Sequence, residues 1–199
     1  MFRSMQLTRL AAAALVSLVV AACAGQKEPA QQAVADLDGA LAKVAEMGEK
    51  YKPEEYAEVQ SQIAALKKSF DGGDFAAVVA GAPKAAAAIR KLQADAIIAK
   101  AEFAKQMNEE WAATATSMPD TIAAVDKQIS RMAAGGRLPK GMDRDTFKQT
   151  VATFDEAKKV WTAAAEAGNA GKFEDAVMQS RQVKSVVDAT MQALGMSAG

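Results

Sequence analysis

From Val34 onward the apolar residues of this chain return every third or fourth position, and no other pattern competes with that one. Val34, Leu37, Leu41 and Val44 are spaced 3, 4 and 3, and Tyr56, Val59, Ile63, Leu66 and Phe70 are spaced 3, 4, 3 and 4. This is the spacing of one stripe on an amphipathic helix. No sustained β-branched alternation appears, so no strand is expected. Abundant alanine adds the highest intrinsic helix propensity.

The spacing predicts about six helices. Gly48 and Lys52-Pro53 end the first, because proline disfavours helix in the residue before it. The second starts at Pro53-Glu54-Glu55, where proline and acids suit a first turn. Asp71-Gly72-Gly73-Asp74 is a stop and restart, with Asp74 an N-cap for the third helix. That helix carries Phe75, Val78, Ala82, Ala85, Ile89, Leu92, Ala96, Ala99 and Phe103 on a seam of small residues that lets a neighbour come close. Gly81 and Pro83 kink it or delay its start. It runs on through Met107 and Trp111, fades in Thr114 to Ser117 and breaks at Pro119. The fourth carries Ile122, Val125, Ile129 and Met132. A loop through Gly135-Gly136 and Leu138 to Gly141 precedes the fifth, which starts near Asp143 or Asp145 and bears Phe147, Val151, Phe154 and Trp161. Gly168 to Gly171 reads as a turn. The sixth carries Phe173, Val177, Ser180, Val183, Val187, Met191 and Leu194.

Helices one to three and four to six read as two copies of one unit. Val34, Leu37, Asp38, Leu41, Lys43 and Val44 match Ile122, Val125, Asp126, Ile129, Arg131 and Met132 at a constant offset of 88, and Phe75 matches Phe173 at an offset of 98. A longer loop and two extra turns in the fifth helix would absorb the difference. Repeated helical hairpins bury their faces by stacking on themselves. The expected fold is therefore all-α: an elongated helical bundle of about six helices in two related three-helix units, 32–117 and 118–199.

A different kind of segment precedes this body. Arg3 and Arg9 flank the start of an apolar run of eleven residues, Leu10 to Val20, too short to cross ~30 Å of hydrocarbon as a helix. It reads as a secretory signal. Its end, Val20-Ala21-Ala22-Cys23, resembles the lipobox of bacterial lipoproteins. The resemblance implies cleavage between Ala22 and Cys23, removal of residues 1–22, and lipid on Cys23 as the new N-terminus. An ordinary signal peptide with an incidental cysteine is the alternative. Cys23 is the only cysteine, and lipidation removes a thiol that an oxidising compartment would attack. One acyl chain holds weakly and two or more hold stably; lipoproteins of this type usually carry three. Ala24, in place of Asp after the cysteine, implies an outer-membrane destination facing the periplasm. Residues 23–31 then form a polar tether containing Pro29.

Gly171 to Ala176 resembles the start of the second helix of a tetratricopeptide hairpin, although the Trp, Leu-Gly and Tyr positions of that motif are missing. With the lipobox, Tyr51-Lys52-Pro53-Glu54-Glu55-Tyr56 and Gly73-Asp74-Phe75 are similar to a family of uncharacterised small helical bacterial lipoproteins. That resemblance covers roughly residues 32 to 95 and implies a helical hairpin and no activity.

The chemical inventory is thin. The chain has no histidine, which removes Ser-His-Asp and Cys-His nucleophiles, c-type haem attachment and Glu-x-x-His di-iron sites. With its one cysteine used by lipid, no thiolate zinc site is expected, and no glycine-rich phosphate loop is present. Asp71-Gly72-Gly73-Asp74 and Asp143-Arg144-Asp145 lack the ligand spacing of a calcium loop and read as caps and turns. Glu109-Glu110 and Asp155-Glu156 are adjacent pairs that point about 100° apart on a helix; they read as solvated faces with partners such as Asp155 to Lys159. The eight methionines left after removal of the signal fit core stripes and helix ends. Trp161 lies on a core stripe. Trp111 lies beyond the matched part of the third helix and is the candidate partner-facing or ligand-facing anchor.

Without Arg3 and Arg9 the chain has 22 basic and 24 acidic residues, a net charge of −2. No basic excess is left to neutralise phosphates, so nucleic acid is not an expected partner. The reading is a non-catalytic envelope lipoprotein, with no cofactor and no metal, attached to a membrane through Cys23 and presenting a helical surface to an envelope protein. The alternative is a carrier whose Ala82, Ala85 and Ala86 leave a cavity for a small apolar ligand beside Phe75 and Ile89.

Overall fold

The computed structural model describes residues 25–135 and 137–196. The expected signal, its cleavage site at Ala22 and Cys23, and the expected lipid attachment at Cys23 lie outside those residues. Among the described residues the chain is all-helical, with five helices: α1 (Lys27–Tyr51), α2 (Pro53–Asp71), α3 (Phe75–Ala133), α4 (Arg144–Asn169) and α5 (Phe173–Ala193).

The expected third and fourth helices are one. α3 runs for 59 residues and takes in both Pro83 and Pro119. Pro119 brings no N–H to the Ala115 carbonyl, and a mid-helix proline costs about 3 kcal/mol. Packing outweighs that loss, because Met107, Trp111, Met118, Val125, Ile129 and Met132 form one buried stripe on both sides of the proline. Around it the hydroxyls of Thr116, Ser117 and Thr121 donate to the carbonyls of Ala112, Ala113 and Ser117. Such back-bonding fits a helix that bends. Gly48 likewise does not end α1, which continues to Tyr51. Its missing side chain seats Tyr56 instead: a Cβ there would stand 2.8 Å from the Tyr56 ring.

The other boundaries obey their local chemistry. Pro53 is in the first turn of α2. Asp74 accepts the Ala77 N–H at 3.0 Å to cap α3, and Asp143 accepts the Thr146 N–H at 2.7 Å to cap α4. α2 and α4 end in the same turn. Gly73 has φ +81° and Gly171 φ +74°, the left-handed region that glycine enters without penalty. In the first turn Gly73 N–H donates to the Phe70 carbonyl and Asp74 N–H to that of Ser69; in the second, Gly171 donates to Gly168 and Lys172 to Ala167. Both are Schellman closures.

The chain divides into two compact units between Ala101 and Glu102, inside α3 and not at a break near residue 117. The first holds α1, α2 and the opening turns of α3. Its core is Leu37 and Val44 from α1, Tyr56, Val59 and Ile63 from α2, and Ala85, Ile89 and Leu92 from α3. An ion pair between Lys67 and Asp38 at 2.7 Å links α2 to α1.

The second unit holds the remainder of α3 with α4 and α5. One cluster joins Met118, Val125, Ile129 and Met132 to Phe154, Val183, Val187 and Leu194; a neighbouring one joins Met107 and Trp111 to Ala164, Ala176 and Val177. Lys158 on α4 reaches Asp126 on α3 at 2.9 Å and Asp155 at 2.9 Å. Those two carboxylates hold its ammonium above the usual lysine range.

Candidate functional site

Trp111, the expected partner-facing or ligand-facing anchor, is a core residue with 8% of its surface exposed. Its indole lies 5.5 Å from the Trp161 ring, centroid to centroid, at 35° between planes. Opposite stands Gly168, which is helical and buried in α4. A Cβ on Gly168 would overlap the indole, so this glycine is a seat for tryptophan and not the start of a turn. The signal was present in the sequence: Met107, Trp111, Ala115, Met118, Ile122 and Val125 continue one stripe straight through Pro119.

The acidic candidates resolve into caps and ion pairs. Glu110 accepts a two-pronged contact from Arg181 of α5, with Nε at 2.7 Å and a terminal nitrogen at 2.6 Å. The guanidinium holds the Glu110 carboxyl below its ordinary value of 4.5. Glu109 pairs with Lys105. Asp155 pairs with Lys158, and Lys159 pairs with Glu156, one position off the expected Asp155 to Lys159 contact. Asp143, holding the Thr146 N–H, is pulled below the usual aspartate range. Among the described residues no three His, Cys, Asp or Glu side chains gather as a metal would need. Of the residues named for the carrier reading, Ala85 and Ile89 belong to the buried core of the first unit, and Ala82 and Ala86 are partly buried against it.

What the second unit does offer is an open groove of about 700 Å³ between α3 and α5. Its floor is Met118, Val187, Met191 and Met196. The Met191 and Met196 backbones are joined at the end of α5, where Met196 N–H donates to the Met191 carbonyl at 2.8 Å. In the first unit a smaller groove of about 350 Å³ lies between α1 and α3. Ala86, Ile89, Arg90 and Gln93 line the smaller groove, and Lys184, Val187, Asp188 and Met191, each 98 positions on, line the larger. Exposed apolar side chains elsewhere are Ile97 (52%) and Ile98 (57%) on α3 and Met178 (62%) on α5.

No protein-family model, no curated protein and no solved structure matches this chain.

Proposed function

We propose that this chain is a non-catalytic bacterial lipoprotein, held by lipid on Cys23 to the periplasmic side of the outer membrane, that presents a duplicated helical module to a protein partner. The observation that carries this reading is Val20-Ala21-Ala22-Cys23, directly after an eleven-residue apolar run; the expected tether 23–31 is shortened, because α1 already begins at Lys27 and buries Ala30. Ala22 and Cys23 flank the cleavage site, and Cys23 takes the lipid. A chain with no histidine and one cysteine committed to lipid has little with which to do nucleophilic or metal chemistry.

Burial supports the duplication. Ala30, Leu37 and Val44 are buried, and so are Met118, Val125 and Met132, each 88 positions on. Val78, Ala85, Ile89, Leu92 and Ala96 are buried, and so are Ala176, Val183, Val187, Thr190 and Leu194, each 98 positions on. The Gly73 and Gly171 turns agree at that second offset, and so does the pairing of Tyr56 with Phe154. α4 starts at Arg144, two turns before the counterpart of Pro53, which accounts for most of the change in offset.

The interaction reading is tested by site-specific photocrosslinking in cells, with the probe at Ile98, Met178 or Ala124. A discrete protein adduct from at least one of these positions is expected. Absence of any protein adduct from all three would contradict a partner-binding role.

A further inference from the structure

The α3–α5 groove differs from an ordinary seam between helices in its shape and in its polarity. Its α3 wall shows Ala113, Ser117, Thr121 and Ala124, a run of small residues at helical spacing about 16 Å long, or three turns. Small residues let another helix backbone approach closely. Met118 from α3 itself, with Met191 and Met196 from the end of α5 and just beyond it, supply flexible thioethers that adapt to apolar stripes of different shape.

Apart from Thr114 and Lys184, the polar groups on the rim are acceptors. Ser117 spends its hydroxyl proton on the Ala113 carbonyl at 3.2 Å, and Thr121 spends its own on that of Ser117 at 3.1 Å. Their oxygens keep lone pairs only. Asp120 also lines the groove and has no ion-pair partner among the described residues. Lys184, the groove's basic residue, is held by Asp188 at 2.7 Å. An occupant with an apolar stripe and donor-bearing positive charge at its edge complements this rim; an acidic one meets Asp120 and a row of acceptors.

We propose that this groove docks an amphipathic helix of a partner protein, with its apolar stripe on the methionine floor and lysine or arginine flanks toward Asp120. The proposal rests on the interaction-module reading and names its surface. It does not depend on the lipid anchor.

The test uses residues 24–199, which contain every described helix and both cores, and two labelled Leu-rich helical peptides with the same apolar stripe. One is flanked by Lys and the other by Glu. Binding is read by fluorescence anisotropy at about 0.15 M salt, where long-range attraction is screened. The Lys-flanked peptide is expected to bind about tenfold more tightly than the Glu-flanked one. Asp120→Asn should weaken it roughly two- to fivefold. Ala124→Trp changes no charge and fills the groove at an exposed position, so it should abolish binding while circular dichroism and Tm stay unchanged. Equal binding of both peptides, binding of neither, or full binding by Ala124→Trp would overturn the proposal. So would concentration-dependent dimerisation that Ala124→Trp removes, since the occupant would then be a second copy. None of these outcomes bears on membrane attachment, and crosslinks from Ile98 or Met178 would leave the wider reading standing.

Discussion

Gly168 is where a single atom decides most. Alanine there would gain about 1 kcal/mol of helix propensity, but its Cβ would overlap the Trp111 indole inside a packed core. Overpacking of that kind costs about 1–3 kcal/mol. Gly168→Ala is therefore expected to lower Tm by several degrees and to perturb near-UV circular dichroism from the Trp111 and Trp161 pair. Gly39, also helical, has open space where its Cβ would be, and Gly39→Ala should raise Tm. The same fall in both would refute the seat. The Glu110 to Arg181 contact makes a second residue-scale prediction. Because the Glu110 pKa is lowered on folding, its contribution is present above the unfolded value and is lost as pH falls through the folded one. Arg181→Gln should thus lower Tm at pH 7 and lower it by less at pH 3. Equal losses at both pH values would assign Arg181 a packing role instead.

At the level of elements, α3 shows why a proline is a weak stop signal when a buried stripe runs through it. Replacing Pro119 with Ala restores an N–H to the Ala115 carbonyl. The gain is expected to be up to about 3 kcal/mol, read as a higher denaturation midpoint with the same slope. A loss of stability would mean that the packing depends on the proline. The periodicity made the helical class, the turns at Gly73 and Gly171, and the caps at Asp74 and Asp143 legible in the amino-acid order itself, since each rests on contacts within a few residues. What stayed hidden were long-range facts. Pro119 broke a local rule that only the packing of Met107 to Met132 overrides. Gly48 and Gly168 looked like punctuation because their purpose is a ring from another helix. The α3–α5 groove escaped for the same reason: Ala113 to Ala124 and Met191 to Met196 are far apart in sequence, and nothing local in either stretch announces the other.

For the molecule as a whole, the proposed function divides the labour between a lipid anchor and a helical body. Among the described residues no helix is long and apolar enough to cross a membrane. In the proposed account attachment is by lipid on Cys23, where two or more acyl chains give stable binding and one does not. The helical body carries three core clusters, one in the first unit and two in the second, and the surfaces through which partners would be held near the membrane. The most direct measurement is mass spectrometry of the N-terminal peptide from protein purified out of bacterial membranes, with a Cys23→Ala variant fractionated alongside. The account predicts a peptide that begins at Cys23 and carries a diacylglyceryl thioether and an N-acyl chain, and a variant that salt and carbonate washes release. A peptide with a free Cys23 thiol, or a variant that stays in the membrane through both washes, would contradict it.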